Sequence, residues 1–358
     1  MKKGGIQTEK VAVVKCDSYS QKQVDKAVTK ALSLIKFDPL NRTKVLVKPN
    51  IVGAYSKSKQ KSITTHPSIV EAVCKFLKKN ECKIFVGESS FRGTDDAFIK
   101  SGLGKVAKKY GKLIIFEQQK LIRIKDKKAK VLKKFPVAKL LKEVDYIINL
   151  PKMKTHSLAE VTLGIKNLYG LIPGGLKQRL HNKAKGKKFS EILVDIYQNF
   201  PPQLTILDGI IGMEGQGPTS GIPKKAGLII ASKNAIALDI AASTIMDFNP
   251  REIPAIEFAI KRGLYPNYKF QLLGMKKLPK IHFKKAQTKK MMSRAHALFK
   301  EQPIICNKKK CIKCGTCAKH CPVKAIKLNP YPTINKKKCI RCFCCMEVCP
   351  VHALNLQE

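Results

Sequence analysis

The sequence predicts an α/β fold, a mostly parallel sheet with helices on both faces, followed by a small separate C-terminal unit. Three observations lead there. Short continuous apolar runs alternate with segments of helical period, the 358 residues exceed what one hydrophobic core usually holds, and ten of the thirteen cysteines crowd between Cys306 and Cys349.

Taken in order, VAVV at 11–14 reads as the first strand, the apolar-periodic run from Val24 to Ile35 as a helix, and VLVKPNIV at 45–52 as the second strand. This is a βαβ rhythm. His66-Pro67 opens a helix over 67–79 with proline at its first position, and KIFVG at 83–87 is the next strand. After a further helical stretch come LIIF at 113–116 and DYIINL at 145–150. The unusual segment NLPKMKTHSLAEVTLGIKNLYGLIPGGLKQRLH then runs from Asn149 to His181. Beyond it, strands are expected at 204–210 and 226–231 and helices at roughly 235–247 and 252–262. The α/β unit is therefore set at 1–283. A Lys-rich connector follows over 284–303, with a short amphipathic piece around Met291–Phe299, and the last unit covers 304–358.

Composition narrows the setting. No apolar run approaches the roughly 18 residues of a membrane-spanning helix, so no membrane partner is expected. The early VAVV run is far shorter than a secretory core, which points to the cytoplasm, where crowded cysteines are metal ligands rather than disulfides. Seventy Lys and Arg against 25 Asp and Glu leave a formal charge of +45. The lysines are spread over nearly every segment, Trp is absent and aromatics make up 7%, so a solvated Lys-rich surface is favoured over a specific nucleic-acid face.

CIKCGTCAKHCPVKAIKL at 311–328 aligns without gaps with CIRCFCCMEVCPVHALNL at 339–356, at a constant offset of 28 residues. Each copy carries C-x-x-C-x-x-C-x-x-x-C-P, the spacing of bacterial two-cluster ferredoxins, in which the fourth cysteine of each run serves the other cluster. The cofactors expected are two [4Fe-4S] clusters. Cys311, Cys314, Cys317 and Cys349 are assigned to one, and Cys339, Cys342, Cys345 and Cys321 to the other. The last unit is thus a small α+β two-cluster ferredoxin-like module. Cys344 and Cys306 are read as small buried residues or as neighbours tuning a cluster. Lysine triplets at 308–310 and 336–338 are either solvated charge or a patch that steers an acidic redox partner protein, and the residues leave both open.

The segments VKPNIVG, THPSIVEAV, NLPKMKTHSLAEVTLGIKNLYGLIPG and LTILDGIIGMEGQGP, joined to this tail, resemble the family called domain of unknown function 362, also described as iron-sulfur centre proteins. The resemblance covers nearly the whole chain and implies its architecture, without implying a reaction.

The site has to come from residues just past strand ends, where open α/β sheets hold their ligands. Lys48, Asn50, Glu88, Lys152 and Lys166 are candidates for binding an anionic substrate, and Lys154, His156, His181 and Asp208 for catalysis. Lysine supplies charge, histidine a proton near neutral pH, and Asp208 and Glu88 stand out because acids are scarce and both close apolar strands. Two functional readings follow: an iron-sulfur oxidoreductase with a small anionic substrate on the α/β unit, or a non-catalytic electron carrier or assembly protein whose α/β unit docks a protein. A nucleic-acid-associated protein is a third, favoured by charge alone. Anaerobically reconstituted protein is predicted to hold about eight irons and about eight acid-labile sulfides; stoichiometric zinc without sulfide in elemental analysis would contradict the cluster assignment.

Overall fold

The computed structural model describes residues 8–358 apart from 39–40, 91–92, 175, 178–179, 181–183, 185–186, 287–303, 320, 322–323, 337, 340–343, 348, 352 and 357–358. His181, Cys342, most of the Lys-rich connector and the amphipathic piece around 291–299 therefore lie outside the described residues.

The predicted βαβ rhythm is present: β1 (Lys10–Lys15), α1 (Gln21–Leu34), β2 (Lys44–Pro49), α2 (Lys57–Ile63), α3 (Pro67–Lys79), β3 (Lys83–Glu88), α4 (Thr94–Ser101), α5 (Leu103–Tyr110) and β4 (Lys112–Ile115). A hairpin of β5 (Leu121–Lys125) and β6 (Lys134–Ala138) stands off the main sheet. Then come β7 (Tyr146–Leu150), β8 (Lys152–His156), β9 (Glu160–Thr162), the one-turn helix α6 (Gly164–Asn167) and α7 (Lys187–Asn199). β10 (Leu204–Glu214), β11 (Ile222–Ser232), α8 (Ala235–Ile245), α9 (Pro254–Lys261) and β12 (Gln271–Leu273) complete this part.

The main sheet has ten strands along the path β12-β1-β11-β10-β7-β2-β3-β4, with β8 and β9 branching from β10. It is mostly parallel; the antiparallel pairs are β1 with β11, β10 with β11, and β8 with β9. The near-continuous apolar strands are explained by burial on both faces. Neighbours along a strand point oppositely, so Val11, Val13, Leu46 and Ile147 join one apolar cluster while Ala12, Val14, Val45, Val47 and Ile148 join the other. Helices α1, α3, α4 and α5 pack into the second cluster and α7, α8 and α9 into the first.

The departure from expectation is β8. Residues 152–156 follow a strand as foreseen, yet they form a strand themselves. β10 is long enough to pair with β7 at Leu204 and Thr205, then with β8 at Asp208 and Met213. Pro151 joins the two strands, and its carbonyl accepts from the Asp208 N–H at 2.9 Å.

The C-terminal module has two antiparallel pairs, β13 (Ile304–Cys306) with β16 (Leu354–Leu356) and β14 (Ile326–Leu328) with β15 (Pro332–Ile334), and the short helices α10 (Thr316–Lys319) and α11 (Cys344–Glu347). Among the described residues no helix is long and apolar enough to cross a membrane.

Candidate functional site

Parallel strands β2, β3 and β7 end side by side, with Val47 opposite both Val86 and Ile148 and Lys48 opposite Asn149. Their polar ends must therefore face one another. Alternation along β8 then sends Lys152, Lys154 and His156 to one side of the strand and Met153 and Thr155 to the other.

These ends enclose a cavity of about 310 Å³ whose walls include Asn50, Glu88, Ser89, Lys154, His156, Lys166, Asn167, Tyr169 and Lys177. Glu88 is the carboxylate among its described lining residues, and Lys48 already holds it at 2.6 Å, both side chains shut off from water. Burial pushes the Glu88 carboxyl up and the Lys48 amine down, while their mutual attraction works against both shifts. Gly170 covers the pair, and a Cβ there would fall 1.9 Å from Glu88 Oε1 and 2.7 Å from Lys48 Nζ.

Lys154 donates to Asn50 Oδ1 and to the Ile63 carbonyl, each at 2.8 Å, and has no carboxylate at ion-pair distance among the described residues. Burial, with the charges of Lys166 and Lys152 nearby, holds its amine well below the usual lysine range. Lys166 lies 5.4 Å from the Tyr169 ring and 5.6 Å from that of Phe189. Burial and the charges of Lys48 and Lys177 bring its amine down to about 7. Lys177 donates to the carbonyl of Ser89 and, at 2.6 Å, to its hydroxyl. His156 Nδ1 accepts the Leu158 N–H at 3.0 Å and the Ala159 N–H at 3.3 Å, so the neutral ring carries its hydrogen on Nε2.

The backbone beneath these side chains is held by buried polar groups. Asn50 donates to Asn167 and Asn167 to Asn149, each at 2.8 Å, and Asn149 donates to the Gly164 carbonyl. Asp239, on α8, accepts the Gly164 and Ile165 N–H groups at 2.6 and 2.9 Å and so fixes the start of α6, the turn bearing Lys166. Desolvation raises its carboxyl to about 7 against the pull of those two N–H groups.

Lys152 and Asp208 stand apart from the cavity walls. They pair with each other at 2.8 Å in full burial, and Tyr19 bridges them, accepting from Lys152 at 2.6 Å and donating to Asp208 at 2.9 Å. The His66 N–H donates to Asp208, and the His66 ring stacks on Tyr19 at 3.8 Å. Burial lowers the His66 ring to about 4.

Of the sequence-predicted candidates, Asn50, Glu88, Lys154, His156 and Lys166 are therefore brought together, Lys48 stands behind Glu88, Lys152 and Asp208 form a separate knot, and His181 lies outside the described residues. Sequence reasoning missed Lys177, Ser89 and Asp239. Lys177 carries no local signal. Asp239 does: it is a lone acid in AIALDIAASTI, a helix apolar all round, where a charge is buried by necessity.

In the C-terminal module the thiols suit iron-sulfur ligation. The Ala325 N–H donates to Cys321 Sγ and the Ala353 N–H to Cys349 Sγ, both at 3.2 Å, so the fourth cysteine of each run is held in the same way. Cys317 lies within electrostatic reach of Cys314 of its own run and of Cys349 of the other.

A mostly parallel α/β sheet with a polar cavity at its strand ends, joined to a duplicated cysteine module, defines an iron-sulfur protein of ferredoxin type. Residues 310–353 match the 4Fe-4S dicluster domain, and residues 45–244 match the family described as Domain of unknown function (DUF362). The chain belongs to that DUF362 family. It is 32% identical over 231 residues to the thylakoid-associated protein sll1697 of Synechocystis sp. (strain ATCC 27184 / PCC 6803 / Kazusa), covering 62% of this chain and 69% of that protein. Among solved structures, the lactate racemase apoprotein of Thermoanaerobacterium thermosaccharolyticum aligns at a TM-score of 0.39 and 12% identity, over 63% of this chain and 54% of that one. A loganic acid methyltransferase with SAH aligns at 0.23 and 11%, over 80% and 72%. Likenesses that low bear on neither fold nor chemistry.

Asp239 offers a test of the buried frame. Its folded pKa of about 7 exceeds the unfolded value of about 3.9, so folding favours the protonated acid. The stabilisation is full below about pH 4 and is lost as pH rises through about 7. Urea midpoints of Asp239→Asn should therefore fall less between pH 4.5 and 7.5 than those of the natural chain; parallel pH profiles would contradict a buried, proton-binding Asp239.

Proposed function

We propose that the chain is an oxidoreductase whose α/β part binds a small anionic substrate in the cavity, and whose C-terminal module exchanges electrons with it. What carries this reading is the convergence of Lys154, Lys166 and Lys177 on one cavity whose lining carboxylate, among the described residues, is already ion-paired. A cavity lined by one sign of charge concentrates the opposite sign. His156, on the cavity wall, and Lys154, whose ammonium form an arriving anion favours, hold the substrate by hydrogen bonding. Bound [4Fe-4S] clusters supply electrons one at a time. The Cys311, Cys314, Cys317 and Cys349 thiolates hold one cluster, and Cys339, Cys342, Cys345 and Cys321 the other. The protein works in the cytoplasm on this reading, with an acidic redox partner drawn to the lysine-flanked module and no specific nucleic acid. A concave cavity lined by lysines supports this reading over a carrier that docks proteins on a flat face.

Two outcomes test it. Cys321→Ser should damage the cluster held by Cys339, Cys342 and Cys345 and leave the other intact; electron paramagnetic resonance showing loss of the Cys311 cluster instead would refute the crossed assignment. Lys154→Met, close in volume, and His156→Gln should keep fold and iron content yet weaken titrated oxalate binding about tenfold, about 1.4 kcal/mol. Unchanged oxalate binding in both variants, together with retention on an acidic partner protein, would replace the enzyme with the docking carrier.

A further inference from the structure

Four lysines at or behind the cavity differ in what their amines touch. Lys48 is ion-paired to Glu88, Lys177 is bonded to Ser89, and Lys154 is fully enclosed between Asn50 and the Ile63 carbonyl. Lys166 is different: it is half-buried on the cavity wall, lies over two aromatic rings, and makes no ion pair among the described residues. Its backbone is pinned from below by Asp239, so the amine is presented from a fixed turn.

We propose that Lys166 is a nucleophile that condenses with the carbonyl carbon of a small anionic aldehyde or ketone, such as a 2-oxo acid, to form an imine. The lone pair of Nζ attacks the carbonyl carbon and an N–C bond forms. The two hydrogens of the amine pass by way of solvent to the carbonyl oxygen, which leaves as water as the C–O bond breaks, and a C=N bond remains. No oxidant or reductant is consumed. A lysine becomes a useful nucleophile when an apolar wall and neighbouring cations disfavour its ammonium form. Here burial, to which the Tyr169 and Phe189 rings contribute, brings the amine down to about 7, and the like charges of Lys48 and Lys177 add to the shift. Lys177, on the cavity wall, suits the carboxylate of the incoming molecule. The His156 ring lies nearly parallel to that of Phe189, 6.3 Å away, on the same cavity wall as Lys166.

The inference rests on the anion-binding reading of this cavity, and the experiment separates the two. The full chain, with its clusters reconstituted anaerobically, is treated at pH 7 with glyoxylate and cyanoborohydride, and adducts are located by peptide mass mapping. At that pH a lysine of pKa about 7 holds roughly a thousandfold more free amine than one near 10.4. Lower intrinsic nucleophilicity offsets part of this, so labelling of Lys166 at least about tenfold faster than of the other lysines is expected, saturating with glyoxylate. Lys166→Arg should lose that adduct with iron content and visible absorption unchanged. Oxalate, an anion without an electrophilic carbonyl, should slow the labelling. If oxalate binds by calorimetry while Lys166 reacts no faster than surface lysines, the imine is overturned and the anion site stands. If Lys166 is labelled selectively but oxalate neither binds nor competes, the anion site falls and the nucleophile stands. Uniform labelling without oxalate binding overturns both.

Discussion

The site depends on one buried ion pair, Lys48 with Glu88, at the adjoining ends of β2 and β3. Two charges this far from water are costly to desolvate, and they persist together because each offsets the other; removing either would leave an unpaired buried charge, at a cost of about 3–5 kcal/mol. The pair dictates its surroundings. The chain passing over it can carry no side chain, which is why Gly170 stands there, and the Ser89 N–H turns back to donate to Glu88 Oε1 at 2.8 Å. With Glu88 neutralised from behind, the lysines around the cavity meet no competing free carboxylate among the described lining residues.

Chemically, the same residue type is divided into separate roles by its partners. Lys152, locked to Asp208 beneath Tyr19, braces the junction where β10 leaves β7 for β8. Lys154, two residues on, meets neutral acceptors and is held toward its neutral form. Lys166 meets rings. What distinguishes them is whether a carboxylate lies within reach, because burial alone pushes every one of them toward the neutral amine.

The cysteine module follows a different logic, in which repetition does the positioning. The two runs present their fourth cysteines identically, each accepting the N–H of the alanine four residues later, and the short pairs β13–β16 and β14–β15 tie the beginning of the module to its end and its middle to itself.

The strands of the α/β part and the cysteine repeat were legible in the sequence because both are local patterns: apolar runs of strand length, helical periods, and thiols at fixed intervals. So were Asn50, Glu88, Lys154, His156 and Lys166 as residues past strand ends, since parallel strands place those ends together. The alternation in KMKTH was also there to be read as a strand, although its charged side chains argue against burial until their partners are known. Those partners were not legible. Lys48 meets Glu88 across 40 residues, Lys152 meets Asp208 across 56, and Lys154 meets Asn50 across 104. No local period encodes such a separation, so the sequence by itself determined which residues stand at the strand ends. Only the tertiary structure decided which lysines are neutralised by a carboxylate and which are left facing the cavity, because that choice depends on distances of a few ångströms between segments far apart in the chain.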